Sequence, residues 1–174
     1  AGKAAAELFL EVFHHQHGNL VTLLRPANLY GPGQPLRARF GVIPAVLYAL
    51  ARGTAFTCYG DGEQVRDFLY IEDAVDLMLR AGRVEPDESA GEDGAGIEIY
   101  NLGSGAGVCL NTLMTTAESV TGRVLRRENV VARAADLRAS ILDCRQVRAR
   151  FGWTPATSLE SGLRQTWQAL PDNP

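Results

Sequence analysis

The chain has 174 residues, 46% of them hydrophobic and 21% charged. That balance excludes a disordered tail or a coiled coil and suits one unit with its own core. Seventeen Lys and Arg against twenty Asp and Glu leave a formal charge of −3, so neither nucleic acid nor an anionic membrane is an expected partner.

Ala4, Ala5, Leu8, Phe9, Val12 and Phe13 recur at three- and four-residue spacing, which predicts a helix with one apolar face, running to about His17 and stopped by Gly18. Leu20 to Leu24 reads as a buried strand, closed by Arg25 and Pro26 because proline cannot donate to a ladder. Ala27 to Gln34 follows as a shaped loop. Val42, Ile43, Val46, Leu47 and Leu50 predict a second helix, with Pro44 in its first turn. Phe56 to Tyr59 is a short strand, Gly60-Asp61-Gly62 a turn, and Phe68 to Ile71 another short extended run. Glu72 and Asp73 open a helix that carries Ala74, Val75, Leu77, Met78 and Ala81.

Val84 to Gly96 holds five carboxylates, three glycines and a proline, so a mobile acidic loop is expected over residues 84–96. Ile97, Ile99 and Tyr100 start a further strand that ends in Asn101-Leu102-Gly103-Ser104-Gly105. A helix from about Asn111 to Val120 stops at Gly122. Asp143 and Gln146 have the spacing of a capping box for a short helix that buries Val147 and Phe151. Ser158 caps a last helix lined by Leu159, Leu163, Thr166, Trp167 and Leu170. Strand and helix alternate, which predicts an α/β arrangement with mainly parallel strands.

No apolar run reaches the roughly 18 to 20 residues of a membrane span, and no signal-peptide pattern is visible, so a cytoplasmic protein is expected. Cys58, Cys109 and Cys144 share no C-x-x-C spacing and read as reduced, small hydrophobes. His14, His15 and His17 cluster at a helix end without ligands that complete a tetrahedron, so no metal is expected. With all three histidines in one patch, neither a Ser-His-Asp nor a Cys-His arrangement is supported. Tyr30, Trp153 and Trp167 could stack on a ligand, but their apolar neighbours favour the core.

In α/β sheets ligands lie beyond the carboxyl ends of strands, which directs attention to the loops after Leu24, Tyr59 and Tyr100. In the first, Asn28 can bond a phosphate or sugar oxygen while glycines let the backbone approach. In the second, the planar fork of Arg66 suits a diphosphate; a surface contact with Glu63 or Asp67 is the alternative. Arg133, three residues before Asp136, is another cationic point. Of the seventeen basic residues sixteen are arginine, which makes the single lysine, Lys3, conspicuous. An ammonium there can hold a ribose hydroxyl and lower a neighbouring phenol's pKa.

The order of several segments carries a resemblance: Gly2-Lys3 with Glu7, Leu24 to Gly33, Tyr59 to Asp73, Tyr100 to Gly103, Phe151 to Pro155, and Leu159 to Thr166. In that order and spacing the chain resembles the C-terminal portion of an extended short-chain dehydrogenase/reductase of the NAD-dependent sugar-nucleotide epimerase/dehydratase family, similar to UDP-glucose 4-epimerases. The resemblance implies part of a Rossmann-like fold: residues 1–174 as a single fragment in which late Rossmann elements interleave with a small substrate-binding region.

It further implies that Lys3 is the lysine of a Tyr-x-x-x-Lys pair, whose tyrosine falls ahead of Ala1, along with the glycine-rich nucleotide fingerprint. Lys3 would act in catalysis and, with Pro26 and Ala27 bordering the nicotinamide, in holding NAD, or NADP, in the full-length parent. Tight cofactor binding and turnover are not expected of these residues alone. Asn28, Arg66 and Arg133 would contact the diphosphate of a nucleotide-diphosphate sugar, Asp136 would hold its ribose or orient an arginine, and Tyr59 would lie near its base. The parent function implied is an epimerase, with a dehydratase or reductase, or a non-catalytic regulatory relative, as alternatives; a homodimer is the implied assembly. The long acidic loop and Ala134-Ala135, where proline-glycine or proline-alanine is common, depart from the family pattern.

Overall fold

A computed structural model describes residues 2–35, 41–84, 97–133 and 136–170. The expected acidic loop falls, beyond Val84, outside the described residues, as does the Ala134-Ala135 pair. Helix α1 (Gly2–His17) leads into β1 (Val21–Pro26), which pairs in parallel with β5 (Ile97–Leu102). Strand β1 is longer than the sequence suggests. Pro26 is its last ladder residue, opposite Leu102, where a missing N–H costs little, and Ala27 N takes over by donating to Leu102 O at 2.7 Å.

The expected loop from Ala27 to Gln34 instead begins with a strand, β2 (Asn28–Tyr30), which pairs in parallel with β4 (Val65–Tyr70). Strand β4 itself starts three residues earlier than predicted, so Arg66 and Asp67 belong to a strand and not to a glycine-rich loop. Ile71, read as strand, opens helix α3 (Ile71–Ala81). Two short strands also join β4: β6 (Gly107–Cys109) antiparallel and β8 (Ala139–Ser140) parallel. Strand β3 (Phe56–Tyr59) pairs in parallel with β7 (Arg127–Val130). Among the described residues four of the five pairings are therefore parallel, as the alternating pattern predicts.

The side-chain alternation of β4 divides the interior. Phe68 and Tyr70 enter a cluster with Ile43, Leu47 and Leu50 of α2 (Val42–Arg52), Leu113 and Met114 of α4 (Leu110–Thr121), and Leu163 and Trp167 of α6 (Leu159–Gln168). Leu69, pointing the other way, joins Ala74 and Leu77 of α3, Leu102 of β5, and Val147 of α5 (Arg145–Phe151) with Trp153. Burial of each large apolar side chain contributes about 1.5 to 3 kcal/mol, so the central strand is anchored from both faces. Tyr30 and both tryptophans are core residues.

Helix ends follow the sequence in part. Ser158 Oγ accepts from Ser161 N at 3.2 Å and Gly122 terminates α4, as expected. The predicted capping box is absent: Cys144 occupies the N-cap of α5, while the Asp143 carboxylate accepts from Arg145 N and binds the Arg145 guanidinium. Asp73 also does more than favour a helix start. It is buried, and its oxygens accept from Ala156 N and Thr157 N at 3.1 Å, tying α3 to the approach of α6. Helix α1 keeps its apolar stripe but buries none of its residues; Phe9 is 74% exposed.

Candidate functional site

Between α2, β3 and β4 lies a cavity of about 910 Å³ whose lining includes Asn28, Tyr59, Arg66, Arg133 and Asp136. These are five of the eight residues singled out from the sequence. Lys3, Pro26 and Ala27 do not line it.

Local geometry fixes what each of the five offers. Asn28 stands opposite Phe68 in the β2–β4 ladder, and its Nδ2 donates to Asp67 O at 2.8 Å, which leaves Oδ1 and one N–H for a ligand. Arg66 Nη1 donates to Val65 O at 2.8 Å and Leu137 O at 2.7 Å, leaving its Nε–H and Nη2 donors. Among the described residues neither surface contact considered for Arg66 forms: Asp67 is buried, and Glu63 Oε1 accepts from Asn111 Nδ2 at 2.7 Å. The Arg133 guanidinium lies 3.7 Å from the centroid of the Tyr59 ring, a cation–π arrangement at the mouth of the cavity. Asp136 N donates to Arg133 O at 3.1 Å, a tight link between the two residues.

The turn beneath these groups depends on glycine. Gly60 and Gly62 have φ of +83° and +77°, values that side-chain-bearing residues rarely adopt. A Cβ on Gly60 would also stand 2.7 Å from Gln64 Nε2. That amide donates to Tyr59 O at 2.5 Å and closes the β3–β4 connection.

Sequence reasoning missed Tyr48, Thr54, Thr57 and Gln64, which share the lining. Gln64 lies two residues before Arg66, just ahead of β4, and shares the lining with it. Tyr48 stands on α2 beside Ala45 and Ala49, whose spacing gives that helix a small-residue wall toward the cavity. Chemically the arrangement combines two guanidinium forks, one carboxylate, hydroxyl and amide groups, and an apolar wall including Phe56, Phe68 and Leu110. It suits a ligand with an anionic middle, a polyol and a flat ring.

The loop after Tyr100 contributes nothing to this cavity. Its Ser104 N, Ser104 Oγ and Gly105 N donate instead to the buried Asp67 carboxylate. Lys3 lies on α1 four residues before Glu7, hence on the same helix face, and Glu7 grips Arg25 at 2.6 and 3.0 Å. This ion pair turns that face toward the carboxyl end of β1, where Pro26 and Ala27 lie. Among the described residues no group of three or more His, Cys, Asp or Glu side chains gathers to hold a metal, and no helix is long and apolar enough to cross a membrane.

Residues 1–103 match the model of the NAD dependent epimerase/dehydratase family. The chain belongs to that family. Among curated members it is 32% identical over 166 residues to the UDP-glucose 4-epimerase of Mycolicibacterium smegmatis, covering 95% of this chain and 50% of that protein. It is also 32% identical over 174 residues to the dTDP-glucose 4,6-dehydratase of Haemophilus influenzae, covering 95% and 49%. The UDP-glucose 4-epimerase of Thermotoga maritima, solved with UDP-glucose, superimposes with a TM-score of 0.83 at 34% identity, covering 96% of this chain and 51% of the other. This epimerase/dehydratase chain thus spans about half the length of the relatives it matches, and its α/β fold is the corresponding part of their Rossmann-like architecture.

Proposed function

We propose that this chain forms the substrate-holding half of an NAD-dependent sugar-nucleotide epimerase of the UDP-glucose 4-epimerase kind, an isomerase acting in the cytoplasm. The observation that carries the reading is the convergence of Asn28, Tyr59, Arg66, Arg133 and Asp136, dispersed over more than a hundred positions, on one cavity. The diphosphate lies against Arg66, Arg133 and the free amide hydrogen of Asn28. A carboxylate among cationic groups needs a donor on the ligand, and Asp136 accepts from ribose hydroxyls. Tyr59, with Arg133 already on one face of its ring, meets the base.

NAD fits the other end of the chain. Pro26 and Ala27 lie at the carboxyl end of a parallel strand pair, the usual ligand position in α/β sheets, and the ion pair of Glu7 with Arg25 turns the Lys3 face toward them. When bound, NAD supplies hydride transfer. Lys3 holds its ribose and, as a cation, favours the ionised form of a nearby phenol. Pro26 and Ala27 border the nicotinamide. The exposed stripe of Leu8, Phe9, Val12 and Phe13 supports a homodimer through α1. The equal identity to a dTDP-glucose 4,6-dehydratase keeps a dehydratase as the second reading, since both reactions use the same diphosphate clamp.

Calorimetric titration with UDP-glucose tests the reading. Replacing Arg66 by Ala removes two charge-assisted hydrogen bonds of about 1.5 kcal/mol each and weakens binding about a hundredfold. Arg66→Lys keeps the charge without the fork and falls between. Unchanged affinity in Arg66→Ala overturns the clamp.

A further inference from the structure

Arg138 grips both carboxylate oxygens of Asp61 at 2.9 Å, yet neither residue lines the cavity. Around this ion pair the chain on either side of the cavity's mouth is attached to the β3–β4 connection. Val65 N donates to Arg138 O at 2.9 Å, Arg66 Nη1 donates to Leu137 O, and Ala139 and Ser140 pair with Val65 and Arg66. On the other side Gly60 N donates to Val130 O at 2.8 Å. The residues in between include Arg133 and Asp136, which are joined by their own backbone hydrogen bond.

We propose that Asp61 and Arg138 are positioning residues for nucleotide-sugar binding, a reading that rests on the function proposed above and deepens it. By fixing Arg138 to the Gly60–Gly62 turn, the ion pair sets where Arg133 and Asp136 stand over the cavity. Both side chains are more than half exposed, so the effect on affinity is modest, about threefold to fivefold.

The test is calorimetric titration of the full 174-residue chain with UDP-glucose and dTDP-glucose, comparing Asp61→Asn, Arg138→Gln and the charge swap of Asp61→Arg with Arg138→Asp. Each single substitution weakens binding by the stated factor and the swap restores part of it. In an Arg133→Ala background the Asp61→Asn effect shrinks, because one of the two residues through which it acts is gone; a merely structural role leaves the two effects multiplicative. Should Asp61→Asn unfold the chain, Arg138→Gln, placed in the same Arg133→Ala background, carries the comparison. Multiplicative effects, or single variants that bind as the unsubstituted chain does, overturn this inference alone. Absence of binding by the unsubstituted chain overturns the functional reading and this one with it.

Discussion

Asp67 is 1% exposed, and among the described residues its carboxylate is held by four hydrogen-bond donors and by no salt bridge. Oδ1 accepts from Ser104 N at 2.9 Å and Ser104 Oγ at 2.5 Å, and Oδ2 from Gly105 N at 3.1 Å and Leu142 N at 3.3 Å. Gly103 has no side chain at the point where a Cβ would press on this carboxylate, 3.1 Å from its carbon. Asp67→Ala leaves three part-buried backbone N–H groups without their partner, at about 1 to 3 kcal/mol each, much of which an entering water recovers; a loss of about 2 to 4 kcal/mol follows. Asp67→Asn is gentler. With its NH₂ in the place of Oδ1, the Ser104 hydroxyl can turn and accept, so only Ser104 N is orphaned, and the cost is about 1 to 3 kcal/mol. Urea denaturation of the 174-residue chain measures both. Against a typical domain stability of about 5 to 15 kcal/mol, the Ala variant loses a large share. If Asp67→Ala costs no more than Asp67→Asn, or less than about 0.5 kcal/mol, the carboxylate is not the hub described.

Two further outcomes follow from close contacts and charge. A Cβ at Gly162 would lie 2.9 Å from Cζ of Tyr30, a buried ring packed edge-on against Tyr70. Gly162→Ala therefore loses more by overpacking than the roughly 1 kcal/mol that alanine gains in a helix, and the melting temperature falls; a rise refutes the contact. The Glu63 N–H and then the Arg138 guanidinium hold the Asp61 carboxyl below the usual carboxylate range. A lowered folded-state value means that its contribution is intact above the ordinary aspartate pKa and is lost as pH falls through the folded value. The Asp61 carboxyl carbon shift should thus titrate at lower pH than in Arg138→Gln, and equal midpoints refute the pairing.

Much of the fold was legible where a periodic pattern ran long enough. Helices α2, α3, α4 and α6 came from apolar spacing, and Ser158 marked its cap. Strand β2 was not, because three residues inside a run of glycine and proline show no period, and their strand character comes from pairing with residues 68–70 far along the chain. Strands β7 and β8 are short and largely exposed, so no apolar alternation announces them. The mainly polar stretch from Glu63 to Asp67 suggests a loop around Arg66, yet a strand edge with a buried carboxylate can be equally polar when loop N–H groups satisfy it.

Residue chemistry alone singled out Asn28, Arg66 and Lys3 as ligand candidates, but family resemblance was needed to group Asn28, Tyr59, Arg66, Arg133 and Asp136. Spacing could not bring together positions on β2, β3, β4 and the 131–138 segment. Tyr48, Thr54, Thr57 and Gln64 escaped because hydroxyl and amide groups have no distinctive pattern until a cavity gives them a common direction.

The pairing of β4 with β2, β6 and β8, with separate cores on its two faces, bears on how such a protein could change its ligand. Arg66 is carried by a backbone clamped from several directions, so selection has little freedom to move it. The α2 and β3 walls are built from side chains such as Tyr48 and Thr57 that can be exchanged without disturbing a ladder. Diversification toward other ligands would accordingly begin on those walls, around a guanidinium that stays where it is.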